Sequence, residues 1–298
     1  MEKKTGIILV LLTAVISGVS IFLNGFAVKG FDSSVFTFAK NAVVATLLFA
    51  LVLGLGQLRQ LKALSRKQWL QLSALGLIGG SIPFLLFFRG LQMTTGATSS
   101  FIHKTMFVFI AVFAILFLKE KLTKGLAIGA ALLLAGNYLV LRPSFTLSAG
   151  HILVFAAMLL WAVESVFAKA VVKNMSGTVV AFGRMFFGSV FILAFLAATG
   201  KAHIISAMSA AQYGWIAVTA ALLFGYVITF YNGLKTIKVS TAACILTLGS
   251  PITTALTMFK GGGISPFEIA GAVFIMAGVA AVLALSRDVG NASWTASA

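Results

Sequence analysis

The sequence predicts an all-α integral membrane protein, with ten transmembrane helices in two inverted five-helix repeats. Three observations carry that expectation. Hydrophobic residues make up 60% of the chain and charged residues only 9%, against about 25% charged in soluble domains. Too little polar surface is left to cover a globule in water. Ten apolar segments of about 20 residues, the length that crosses a bilayer, follow one another through short connectors. The chain is also written twice: its halves align in three blocks. Each half has five spans, an odd number, so the second enters the membrane upside down relative to the first. Barrel strands would alternate polar and apolar residues, and these runs do not.

Taken in order, the first segment, 5–28, follows Lys3 and Lys4 in the outline of a secretory signal. It is long enough to span and lacks a small-residue cleavage site before the next polar turn, so it reads as an uncleaved first helix. "KGFDSS" leads to the second span, 33–55, and "GQLRQLKALSRKQ" to the third, 68–89. The fourth (96–118) and fifth (122–141) are parted by "KEKLTK", and "RPSFTLS" leads into the second half. There the spans are 148–171, 177–199, 210–232, 237–259 and 265–286, with "GKAHIISAMSAA" and "KGGGIS" among the connectors. The division is therefore 1–143 for the first repeat, 144–286 for the second, and 287–298 for a flexible cytoplasmic tail.

Charge sets the orientation. Fourteen of the 22 Lys and Arg residues, Arg287 included, lie on the side of the N-terminus; five, including Lys29 and Lys260, lie opposite. The positive-inside bias then places both termini in the cytoplasm and the chain in the cell membrane. A net charge of +16 would suggest nucleic acid in a soluble protein. Here the bases sit mostly in connectors, where they orient the chain and meet anionic membrane lipids, so no nucleic-acid partner is expected. The single cysteine, Cys244, excludes an intrachain disulfide and any multi-cysteine metal site.

The repeat is read from three blocks. The stretch beginning at residue 5 aligns with that from 149 at an offset of 144, pairing Gly6 with Gly150 and Lys40 with Arg184. "GLQMTTGATSS" matches "GLKTIKVSTAA" at 143, pairing Gly90 with Gly233. "LTKGLAIGAALLLAG" matches "ISPFEIAGAVFIMAG" at 142, pairing Gly129 with Gly271 and Gly136 with Gly278. Inverted repeats recur in secondary transporters, whose substrate site lies near the midplane between the halves.

Three stretches carry a resemblance: "LFLKEKLTKGLAIGAALLLAGNYLVL", "LLWAVESVFAKAVV" and "LGSPITTALTMF". The chain resembles the EamA family of the drug/metabolite transporter superfamily over nearly its whole length. The resemblance implies tandem five-helix domains and the movement of small metabolites, often outward, including amino acids. Two departures stand out. Where the family has an acid after the ninth span, as Glu120 follows the fourth, this chain has "KGGGIS". The position in the fourth span matching Pro251 is Val108.

Four charged residues fall inside spans. At 1.5 Å per residue, Lys104 lies ~4–5 Å and Lys40 ~6 Å from the centres of their spans toward the outer side, with Arg184 ~6 Å and Glu164 ~7 Å toward the inner side. None reaches water easily, so each should face the bundle interior or a wet cavity. Glu164 and Arg184 are the pair matched by depth. Lys104 and Lys40 then need an anion, which makes them candidates for binding the charged group of a substrate. The competing reading is a structural lysine donating to carbonyls near a helix break.

His103 points about 100° away from Lys104 on their shared helix, which favours a packing histidine hydrogen-bonded to a neighbour over a proton relay. Glu164 is the carboxylate available for proton coupling if it is not a salt bridge. Pro83 and Pro251 break the third and ninth spans and free backbone carbonyls. Thr247, the mate of Lys104 at offset 143, joins the candidate binding set, unless the polar stretch around it is ordinary small-residue packing. Trp161, Tyr226 and Tyr231 suit a pocket wall; Trp69, Tyr213 and Trp215 suit interface anchors.

No G-x-x-x-x-G-K-[ST] loop and no H-E-x-x-H occurs, so the chain carries no visible ATPase or metalloprotease machinery, and no cofactor or metal is expected. The expected function is a secondary transporter, an exporter of a small metabolite such as an amino acid or other organic anion. Two alternatives stay open. One is a uniporter or exchanger for a neutral or phosphorylated metabolite such as a sugar phosphate or nucleotide-sugar. The other is an intramembrane enzyme using Lys104 and His103. One chain suffices to enclose a site, so a monomer or a homodimer fits.

Overall fold

The architecture comes from a computed structural model, which describes residues 2–27, 31–93, 96–143, 148–258 and 265–285. Lys29, Lys260, Arg287, most of "KGGGIS" and the tail 287–298 lie outside the described residues. Fourteen α-helices follow in order. The first half holds α1 (Lys3–Ala27), α2 (Ser33–Gly54), the short α3 (Leu58–Lys62), α4 (Arg66–Leu75), α5 (Ile82–Gln92), α6 (Gly96–Lys104), α7 (Met106–Leu118) and α8 (Lys124–Leu141). The second holds α9 (Ala149–Val171), α10 (Gly177–Ala198), α11 (Ala210–Leu234), α12 (Val239–Leu246), α13 (Gly249–Met258) and α14 (Pro266–Leu285). No strand occurs among the described residues.

These helices make ten segments long and apolar enough to cross a membrane. The outer surface agrees: Ile8, Leu116, Phe117 and Ile152 are more than 60% exposed, a surface that suits lipid and not water.

Local chemistry sets the helix starts. Asp32 accepts from the backbone N–H groups of Ser34 and Val35 at 2.9 and 3.3 Å to open α2. Ser65, Ser148 and Ser209 form capping boxes with Gln68, His151 and Gln212, satisfying N–H groups that a helix start leaves orphaned. Glu120 reaches across to α12, accepting from Val239 N–H at 3.0 Å and from the Ser240 hydroxyl.

Three spans are interrupted. In the third, Gly76–Ser81 forms a π-helical turn between α4 and α5, directly before Pro83, which lacks the N–H an α-helix needs. The fourth breaks at Thr105 and the ninth at Thr247–Leu248. Both threonines turn their hydroxyls back on the carbonyl three residues earlier: Thr105 to Ile102 at 2.7 Å, Thr247 to Cys244 at 2.6 Å. This corrects the register of the repeat. The two breaks lie 142 residues apart, so Thr247 corresponds to Thr105, and Lys104 corresponds to Leu246.

The spans pair as α1 with α11, α5 with α9, α2 with α10 and α8 with α14, while α7 packs on α9 and α13 on α1. Replacing each span by its counterpart in the other half leaves this pairing unchanged. The glycines aligned in the repeat lie at these contacts. A Cβ at Gly90 would stand 2.7 Å from the Gly150 carbonyl, and one at Gly136 2.7 Å from that of Gly271. Small residues let the backbones approach where lipid gives no hydrophobic drive.

Candidate functional site

The end of the bundle that carries the N-terminus is called the near end here, and the other the far end. A cavity of about 410 Å³ lies between the two halves, within the range of small-molecule sites. It runs from mid-bundle toward the far end. From α1 it takes the C-terminal half, Ser17, Ser20, Ile21, Asn24 and Gly25, and from α5 Phe84, Phe87, Phe88 and Leu91. The second half supplies its deeper part: Trp161, Glu164 and Ser165 of α9, Arg184 of α10, and Tyr226, Phe230 and Tyr231 of α11. At the near end the counterparts of the mouth residues are closed: Ala168, the mate of Asn24, and Leu234, the mate of Leu91, are fully buried.

The floor is organised around one carbonyl. In an α-helix the N–H of residue 83 would bond the carbonyl of residue 79; Pro83 has none to give. The Gly79 carbonyl instead accepts from Arg184 Nη2 at 2.8 Å and Trp161 Nε1 at 3.0 Å. Arg184 Nε lies 3.5 Å from Glu164 Oε1, an ion pair without a hydrogen bond at that nitrogen. Tyr231 donates to the same carboxylate oxygen at 2.5 Å. The depth-matched pair is therefore present, and Tyr231 belongs to it. All four side chains are at least nine-tenths buried.

The two lysines are placed differently. Lys40, 4% exposed, has its ammonium over three rings, Phe36 at 4.9 Å, Phe84 at 5.7 Å and Phe88 at 5.8 Å. Cation–π attraction to each supports the charge. Lys104 lines the cavity and, among the described residues, has no hydrogen bond, carboxylate or ring partner.

Other expectations are corrected. His103 and Lys104, the last two residues of α6, both line the cavity. His103 packs its ring against Phe87 and Trp161, each at 5.4 Å, and makes no hydrogen bond across the bundle among the described residues. Thr247 lies off the cavity: it is buried, with its hydroxyl spent on Cys244. The polar stretch around Pro251 packs on other spans, Ser250 donating to Asn137 at 2.9 Å and Thr253 to the Gly18 carbonyl at 2.9 Å. Pro83 acts through Gly79 without lining the cavity, and Pro251 does not line it either. Among the described residues no cluster of His, Cys, Asp and Glu could hold a metal.

Sequence reasoning missed Ser17, Ser20, Phe87 and Phe230. The repeat could have found the two serines: Ser17 and Ser20 match Trp161 and Glu164 at offset 144, whereas Phe87 and Phe230 match only each other, at 143.

The pattern of the EamA-like transporter family matches this chain twice, over residues 4–142 and 148–284. The chain belongs to the EamA-like transporter family. Curated relatives of this EamA-like chain include the uncharacterized transporter YyaM of Bacillus subtilis, 26% identical over 73% of this chain and 74% of its own length. An uncharacterized transporter of Archaeoglobus fulgidus is 26% identical over 94% of this chain and 97% of its own. A solved crystal structure superposes with a TM-score of 0.78 over 94% of this EamA-like chain and 98% of its own, at 16% identity, which shows the fold alone.

Proposed function

We propose that this EamA-like transporter exports a small organic anion, such as an amino acid or another carboxylate, by alternating access around the cavity. The observation that carries the reading is Lys104: a cation at bilayer depth, on the wall of a substrate-sized cavity, with no partner among the described residues. A charge so placed costs at least ~2.5–3.5 kcal/mol on insertion scales, and a bound carboxylate offsets that cost through a charge-assisted hydrogen bond. The formal charge on the wall is +2, from Lys40, Lys104, Arg184 and Glu164 with His103 neutral, so the site favours negative cargo. The excess of Lys and Arg at the near end supports a cytoplasmic location for both termini in the cell membrane, with the cavity extending toward the outside. One chain encloses the cavity, so the reading needs no second copy.

The test is thermal stability of the purified protein with pairs of metabolites differing only in charge, each carboxylate beside its amide, in wild type and Lys104→Ala. Stabilisation by the anions alone, weakened about tenfold or more in the variant, supports the reading. Equal stabilisation by the neutral partners in both proteins removes it. Efflux from sealed vesicles of known sidedness tests direction, and dependence on a proton gradient tests whether Glu164 takes part in coupling.

A further inference from the structure

Resting on the anion-site reading above, we infer that the substrate is an aromatic monocarboxylate without an amino group, an arylalkanoate rather than a zwitterionic amino acid. Three features of the cavity point there.

The first is its walls. Phe87 and His103 each meet Trp161 edge to face and lie tilted at 54° to one another, with all three centroid separations 5.3 to 5.4 Å. On α11, Tyr226 and Phe230 stack at 5.8 Å and 23°. Two groups of rings lining one cavity favour a flat ring, which gains offset or edge contacts an aliphatic chain does not.

The second is the number of unmet charges. Arg184 is paired with Glu164 and bonded to Gly79, and the Lys40 ammonium is met by three ring faces. Among the described residues Lys104 alone has no partner, so the site calls for one negative charge.

The third concerns an ammonium. Among the described residues Glu164 is the only carboxylate on the wall, and its Oε1 already takes Tyr231 and faces Arg184. An α-ammonium would enter beside three bases and share its one carboxylate with Arg184 and Tyr231, leaving its lost hydration poorly replaced. Asn24 Oδ1 is buried without a partner. However, its amide already touches the Ser20 hydroxyl at 3.0 Å, and turning the amide over lets that hydroxyl donate to the oxygen. Asn24 therefore creates no demand for an ammonium.

The experiment titrates purified wild-type protein by thermal shift with 3-phenylpropanoate, 3-phenylpropanamide, phenylalanine, hexanoate and phenyl phosphate, and repeats it with Lys104→Ala and Lys104→Gln. The expected result is half-saturation by 3-phenylpropanoate at a concentration at least tenfold below that of every other compound, the advantage over the amide vanishing in either variant. Should neither variant fold, the wild-type series decides alone. Phenylalanine binding as tightly as 3-phenylpropanoate overturns the inference and leaves the anion reading standing. The amide binding as tightly overturns the anion reading itself. Parity with hexanoate removes the aromatic requirement, and tighter phenyl phosphate removes the single-charge count. No saturable shift with 3-phenylpropanoate also overturns the inference.

Discussion

Gly79 shows how much one residue carries. A Cβ there would lie 2.4 Å from Glu164 Cγ and 3.0 Å from Arg184 Nε, so Gly79→Ala should push the ion pair apart. Overpacking of this kind costs about 1–3 kcal/mol, and a lower thermal midpoint than wild type is the expected outcome. Tyr231→Phe removes the hydroxyl that donates to Glu164 without changing shape; a hydrogen bond to a charged group is worth ~1.5–3 kcal/mol, and denaturant titration should read a loss of that order. Outside the spans, Asp32 is raised by partial burial, but the Lys201 hydrogen bond and the N–H groups of Val35 and Ser34 outweigh this and hold its carboxyl below the ordinary value. A depressed carboxylate stabilises the fold above its unfolded pKa, near 4, and that contribution is lost as pH falls through the lower folded value. Asp32→Asn should therefore flatten the stability profile below about pH 4 and leave its shape at pH 7–8 alone. Lys40, Lys104, Arg184 and Glu164 were legible because the cost of charge in a bilayer forces them inward. Gly79 was not, since its demand is a backbone carbonyl created by Pro83 four residues on. Thr247 was misplaced by a one-residue slip in an alignment that no insertion marks.

At the scale of elements, the break in the third span is a device that exposes a carbonyl to donors from two other helices. Pro83→Ala would restore an N–H aimed at the Gly79 carbonyl, in competition with Arg184 and Trp161. The expected result is a folded protein with shifted Trp161 emission and reduced transport. Unchanged fluorescence would count against this account of the turn. The spans were legible to within a few residues: 33–55 was expected and Ser33–Gly54 found, 148–171 expected and Ala149–Val171 found. Length, hydropathy and the Ser, Thr and Asp caps fix them locally. The break at Thr105 was not legible, because neither glycine nor proline marks it and only its likeness to Thr247 explains it.

On the scale of the whole molecule, the two halves are alike in pairing and unlike in state. Mouth residues of the first half line the cavity, while their mates close the near end, where Lys169 Nζ also bonds the Leu234 carbonyl at 2.6 Å. Cysteine labelling should read this asymmetry, since the native Cys244 is fully buried. Leu91→Cys should react with a membrane-impermeant maleimide and Leu234→Cys should not; a saturating substrate should slow the first. Equal labelling of both would contradict a far-end opening. The Glu120 tie, described above as a helix start, also has a thermodynamic consequence. It fastens α12 at the near end, and the sequence offers no acid in "KGGGIS" to fasten α6 at the far end. A cap worth ~1 kcal/mol tilts a two-state equilibrium about fivefold. Under the alternating access proposed above, the empty carrier would thus wait with its site turned to one side of the membrane, and Glu120→Ala would bring its resting occupancies closer to parity.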